Sequence, residues 1–247
     1  MWGADEGARA GRRGDGVWYF AYGSNLHPSK RRARANLEPQ AFVRALVRDW
    51  RLAFDMPGVP PAEPSMANLR PEAGAAVHGL LIHLSDDDFK ALVRSEGSAH
   101  FYGIVEIEAT TYDDELVRAR AFVTTASRRR GQERPPSRRY MQLLREGARI
   151  SGLDPVYCAY LDGLPHSDAS TLARACSALI LDAYTEAAKT PLHELGNHYL
   201  ALLQASDDLP GLPRALTQAG LLVPGVGVGL GVRALRRLAA LRGRARE

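Results

Sequence analysis

The strongest chemical signal in the chain is an eight-residue stretch, Tyr19-Phe20-Ala21-Tyr22-Gly23-Ser24-Asn25-Leu26. The aromatic and β-branched run from Val17 to Tyr22 reads as a buried strand that stops at Gly23, and Pro28 opens a helical stretch after it. A glycine after a strand lets the backbone turn tightly, and the amides that follow it, opening a helix, are free to bind an anion. A substrate carboxylate could sit in such a turn, although an ordinary strand-to-helix connection has the same pattern. No Gly-x-Ser-x-Gly elbow surrounds Ser24, so its backbone amide, not its hydroxyl, is the useful group.

Other candidate sites fail on spacing. His193 and His198 are five apart, whereas a zinc-protease helix needs four so that both rings share a face. The run Gly225-Val226-Gly227-Val228-Gly229-Leu230-Gly231 lacks the third glycine position of a dinucleotide fingerprint and follows no βαβ pattern. Cys158 and Cys176 lack the spacing of a metal or redox pair and suit a reducing compartment. No metal and no organic cofactor is expected.

The elements that must position the turn are read from periodicity and punctuation. Apolar segments at Phe42–Val47, Arg51–Met56 and Val77–Leu84 read as separate strands, with the Pro-rich stretch Pro57–Pro64 as an irregular loop. Ser85 followed by Asp86, Asp87 and Asp88 caps a short helix that ends near Gly97. Tyr102–Thr111 and Leu116–Thr124 form a hairpin around Asp113, Asp114 and Glu115. Helical spacing returns over Ser137–Ile150, and Asp154-Pro155 starts another helix. Beyond Asp168 the chain reads as helical, with no clear strand-like run until the glycine-rich apolar stretch near its end. The expected organisation is a flexible leader over 1–16, a main domain over 17–168 and a helical extension over 169–247.

Composition bounds the class. The 247 residues are 45% hydrophobic and 24% charged, which is the profile of a folded globular protein. The net charge of +4 comes from arginine clusters at Lys30–Arg34, Arg128–Arg139 and Arg233–Arg246. Such clusters can meet nucleic acid or anionic lipid, but an Ala- and Arg-rich chain also places arginine on any solvated face, and nucleic acid is not an expected partner. The first sixteen residues lack the apolar stretch of a secretory signal, so a cytoplasmic location is expected. Leu221–Val232 is shorter than the roughly 20 apolar residues that span a bilayer. With the basic residues behind it, this tail could lie against a membrane surface or a partner, or pack on its own core.

The order of motifs resembles the γ-glutamylcyclotransferase family, also described as AIG2-like. The Tyr-Phe-Ala-Tyr-Gly-Ser-Asn-Leu stretch looks like the family's opening motif. Asp49-Trp50-Arg51-Leu52-Ala53-Phe54, Ala67-Asn68-Leu69 and Val77-His78-Gly79-Leu80 resemble later strand blocks. Ser95-Glu96-Gly97 resembles the segment that carries the family's acid/base, Tyr102 the tyrosine after it, and Pro135-Pro136-Ser137-Arg138-Arg139-Tyr140 the start of a helix that continues through Gly147-Ala148. The likeness covers roughly Trp18 to Asp168 and leaves both ends uncovered. The gap between Glu96 and Tyr102, occupied by His100 and Phe101, looks a residue shorter than in some relatives, which bears on substrate preference.

The resemblance implies an α+β fold, a small mixed β-barrel-like domain with flanking helices, here followed by the mainly helical extension. It implies intramolecular aminolysis, in which the α-amine of a γ-glutamyl group attacks its own side-chain carbonyl, closes 5-oxoproline and expels an amine. Glu96 is then the general acid/base, and Tyr22, Gly23, Ser24, Asn25, Leu26, Tyr102 and Tyr140 are substrate-binding candidates, although tyrosines at element ends also serve as half-buried packing. The expected partner is a small γ-glutamyl compound, and a homodimer is compatible with the sequence. Removal of a γ-glutamyl protecting group from a biosynthetic amine, and a non-catalytic binding module using the same cleft, are the alternatives.

Overall fold

The computed structural model describes residues 16–33, 39–95, 102–187 and 190–244. The chain divides into two compact units: Met1–Met56 with Ala67–Glu133 and Arg139–Pro165, and Pro57–Met66 with Arg134–Arg138 and His166–Glu247.

The first unit is built on a closed barrel in the order β1-β3-β2-β4-β5, with β1 at Val17–Ala21, β2 at Ala41–Pro57, β3 at Ser65–Leu84, β4 at Tyr102–Thr111 and β5 at Leu116–Thr124. Closure comes from β1, which pairs antiparallel with β3 from Val17↔Leu84 to Ala21↔Leu80 and parallel with β5 at Tyr19↔Arg120. Its Phe20 and Ala21 are fully buried. Closing the sheet removes the exposed edges that a five-stranded open sheet would carry.

Two of the expected strands are one. Phe42–Val47 and Arg51–Met56 both lie in β2, which passes through Asp49 in the left-handed region at φ 60°. Asp49 Oδ1 accepts from the amide of Gly74, itself at φ 80°, at 2.8 Å, so the kink is anchored on β3. A residue at positive φ breaks the alternation of faces without ending the strand, and from sequence such a break resembles an end.

Helices α1 (Pro28–Ala33), α2 (Asp86–Ser95), α3 (Arg138–Ile150) and α4 (Pro155–Gly163) follow their local signals. The Ser85 hydroxyl accepts from Asp88 N at 3.1 Å at the head of α2, and Asp154 Oδ1 accepts from Val156 N and Tyr157 N at the head of α4. Each such cap typically contributes about 1 kcal/mol. On α2, Phe89 and Leu92 are buried.

The second unit carries α5 (Thr171–Ala187), α6 (His193–Ser206) and α7 (Gly211–Arg244). The glycine-rich run that looked strand-like is helical within α7, because two of its glycines serve helix packing. A Cβ on Gly229 would stand 2.1 Å from Leu179 O, and one on Gly225 would stand 2.2 Å from the Tyr199 hydroxyl. Spaced four apart, the two lie on one face of α7 and let neighbouring backbone and side chains approach closely.

Candidate active site

The turn after β1 sits at one end of the barrel. Leu26 N donates to Gly23 O at 3.0 Å and His27 N to Ser24 O at 3.1 Å, closing a short 3-10 turn over Ser24–Leu26. Asn25 and Leu26 are buried, and Asn25 Nδ2 donates to the Tyr19 hydroxyl at 2.9 Å. Arg31 on α1 donates to Asn25 O and Leu26 O at 2.9 and 2.6 Å. The turn is therefore fixed from both ends.

Two glycines explain how closely the turn is packed. A Cβ on Gly23 would lie 3.1 Å from the Tyr140 hydroxyl, and a Cβ on Gly147 of α3 would lie 2.7 Å from His27 N and 2.8 Å from the Leu26 carbonyl carbon. Gly147 thus lets α3 rest directly on the turn backbone, and Gly23 makes room for a tyrosine from the same helix. Tyr140 is 5% exposed, and its hydroxyl accepts from Ala67 N at 3.1 Å. Tyr22 donates its hydroxyl proton to Phe122 O at 2.5 Å. Burial, reinforced by Tyr19, Tyr140 and the Asp55 carboxylate, raises the Tyr22 pKa well above the ordinary tyrosine value, so the phenol is a neutral donor.

Behind these tyrosines lies a buried polar chain. Asp55 is 1% exposed, accepts from Asn68 Nδ2 at 2.7 Å and pairs with Arg70 at 2.8 Å. Asn68, also 1% exposed, accepts at its own Oδ1 from Thr124 N at 2.9 Å. A carboxylate only accepts and a backbone amide only donates, so these neighbours fix which way the Asn68 amide points. Thr124 ends β5 and faces Tyr102 across the β4–β5 ladder.

Of the residues expected from the sequence, Tyr140 stands against Gly23, and Tyr22 bonds to β5 beside them. Tyr102, half-buried, packs edge-on to Phe122 with ring centroids 5.7 Å apart. Ser24, Asn25 and Leu26 form the turn itself. Glu96, with His100 and Phe101, lies outside the described residues. Between the turn and α2, a small cleft is lined by Tyr19, Asn25, Arg31, Ile82 and Leu92. Among the described residues no three His, Cys, Asp or Glu side chains are grouped to hold a metal ion, and no helix is long and apolar enough to cross a membrane.

Sequence reading missed Asp55, Arg70, Thr124 and the packing role of Gly147. Asp55 did carry a signal, as an acid immediately after the apolar run Leu52–Phe54. Its meaning depended on Asn68 and Arg70 arriving from another strand.

Comparison with known proteins decides the family. The γ-glutamyl cyclotransferase verK of Clonostachys rogersoniana is 31% identical over 147 residues, covering 51% of this chain and 81% of that protein. The chain belongs to the γ-glutamyl cyclotransferase family. The γ-glutamyl cyclotransferase gliK of Aspergillus fumigatus is 31% identical over 172 residues, covering 61% of this chain. The chain spans about three fifths of its two Aspergillus relatives, 63% of gliK and 60% of aclK from Aspergillus oryzae. An AIG2-like family model matches residues 76–161. A solved γ-glutamyl cyclotransferase shares the fold with a TM-score of 0.57 at 23% identity, covering 63% of this chain and 92% of that one. The expected α+β barrel with flanking helices is thus the fold of the γ-glutamyl cyclotransferase family, and the expected helical C-terminal part is present as α5 to α7.

Proposed function

We propose that this member of the γ-glutamyl cyclotransferase family cyclises γ-glutamyl amino acids to 5-oxoproline with release of the amino acid. The observation that carries this reading is the tightly held Gly23 turn ringed by buried polar groups, in a chain whose relatives are named for the reaction. The turn, from Tyr22 to Leu26, grips the α-carboxylate of the γ-glutamyl group, and Tyr140, which stands against Gly23, and Tyr102 help to bind the substrate. Pre-orientation is the main contribution, because well-aligned intramolecular attack reaches effective molarities of about 10⁵ to 10⁸ M.

Glu96 moves the protons. It takes one from the substrate α-ammonium, the freed amine nitrogen bonds to the γ-carbonyl carbon and sheds a second proton to water, and the original C–N bond breaks as Glu96 returns the first proton to the leaving nitrogen, which departs as the amine. The protein supplies no nucleophile and ends unchanged. Two thiols without a mutual bond, Cys158 and Cys176, suit a reducing compartment such as the cytoplasm.

The test is product analysis by mass spectrometry on γ-glutamyl-alanine beside a panel of γ-glutamyl amines. Wild-type protein releases 5-oxoproline, and a preference for amines over amino acids assigns it instead to removing a γ-glutamyl protecting group. Glu96→Gln loses roughly 10² to 10⁴ in rate, the usual contribution of general acid/base assistance. Activity that survives in Glu96→Gln shows the base to be another group.

A further inference from the structure

Thr124 has a side chain that the described part of the fold leaves incomplete. The residue is 5% exposed, and its Oγ1 is buried with no hydrogen-bond partner among the described residues. An unmatched buried hydroxyl typically costs about 1 to 3 kcal/mol, so native structures keep few of them without a use. The rest of the residue is held with care: its amide is tied to Asn68, and Asn68 is locked by Asp55. The chain thus positions a hydroxyl that no group among the described residues engages.

Its place in the barrel says what it faces. Thr124 and Tyr102 are antiparallel partners, so their side chains share one face of the ladder. Phe122, two residues earlier on the same face, packs against Tyr19, Phe89 and Tyr102. That face therefore looks toward α2 and Tyr102, the two elements that bracket residues 96–101 in the sequence.

The reaction proposed above needs three things: a grip on the α-carboxylate, a proton carrier, and a donor for the γ-carbonyl oxygen as negative charge builds on it. The first two are assigned to the turn and Glu96. For the third, the nearby Tyr22 hydroxyl proton is already directed to Phe122 O, and the Thr124 amide to Asn68. We infer that the Thr124 hydroxyl, set in place by the Asp55–Asn68 pair, donates a hydrogen bond to the γ-carbonyl oxygen of the substrate. It transfers no proton. Asp55 and Asn68 are positioning residues that act through the Thr124 backbone. This inference rests on the proposed cyclisation and adds to it the group that stabilises the developing oxyanion.

Thr124→Val is nearly isosteric and removes only the donor, while Thr124→Ser keeps the hydroxyl. The three proteins are compared by kcat and KM for 5-oxoproline release from γ-glutamyl-alanine, by calorimetric Kd for 5-oxoproline, whose ring carbonyl is the former γ-carbonyl, and by Tm. The valine variant is expected to lose about 10²-fold in kcat, as for removal of an oxyanion donor. Its 5-oxoproline binding weakens about 3- to 10-fold, the value of one neutral hydrogen bond. Serine restores both to within about threefold. Valine and wild-type proteins that match in kcat and Kd overturn the inference while leaving the cyclisation standing, as does equal loss in valine and serine variants accompanied by a lowered Tm. Wild-type protein that releases no 5-oxoproline from any γ-glutamyl compound overturns both.

Discussion

The barrel end and the helical unit treat charge and close contact in opposite ways. Around the Gly23 turn, Asp55, Asn68, Tyr22, Tyr140 and Thr124 are all nearly inaccessible to water. In the helical unit the acid Asp182 sits at the surface between Arg233 and Arg236, while large apolar side chains such as Leu172, Leu195 and Val223 are exposed. A buried carboxylate must be fully matched, because the low-dielectric interior charges heavily for an unpaired group. A surface ion pair exchanges water for a partner at little net change. The first region is therefore where geometry is enforced, and the second is held by helix packing that tolerates looser polar arrangements.

The sharpest way to break this contrast is to remove the buried acid. Asp55→Ala leaves Arg70 and Asn68 without their shared acceptor, and thermal or urea unfolding should show a loss of about 3 kcal/mol, the lower end for breaking a buried pair because Arg70 still reaches solvent. The folded remainder should also lose 5-oxoproline release. A stability equal to wild type would show that the polar chain is dispensable.

Close glycine approaches exist in both regions and serve different ends. Gly147→Ala pushes a methyl group into the backbone of the turn, and Gly229→Val pushes a larger group onto Leu179 O. Both should destabilise by roughly 1 to 3 kcal/mol through overpacking. Only Gly147→Ala should also lower kcat/KM of protein that remains folded, measured well below its Tm. Equal effects on activity would erase the distinction between the regions.

A half-buried contact also titrates. His78 Nδ1 lies 2.6 Å from the Tyr112 hydroxyl, which accepts from Asp154 N at 2.9 Å. Burial lowers the His78 pKa, with Arg48 adding to it and Asp154 partly opposing it. The unfolded chain then binds the proton first, so this contribution is complete above the ordinary histidine pKa of about 6.5 and is lost as pH falls from there through the lower folded value. Urea midpoints measured from pH 8 down to pH 5 should fall less steeply in His78→Gln than in wild type. The smallest effect belongs to the surface acid: Asp182→Asn should change unfolding free energy by at most about 1 kcal/mol and shrink further in high salt.

Much of the architecture was legible because its signals are local. The turn at Tyr22–Leu26, the hairpin at Tyr102–Thr111 and Leu116–Thr124, the caps at Ser85 and Asp154, and the helix over Arg138–Ile150 each follow from propensities and punctuation within a dozen residues. Where the chain departed from the reading, the cause lay far away along it. Two apparent strands are one because Gly74 N on the facing strand donates to Asp49 at the kink, and the glycines of α7 let Leu179 and Tyr199 approach the helix.

By itself, the order of residues determined the fold class, the family and which turn to inspect. Only the tertiary structure decided that Asp55, Asn68 and Thr124 form one buried chain, that Tyr140 reaches Gly23, and that α3 rests on the turn through Gly147. The physical reason is separation. Periodicity and capping act between neighbours, whereas a hydrogen bond such as Asn68 to Thr124 joins groups 56 residues apart and exists only once the barrel has closed.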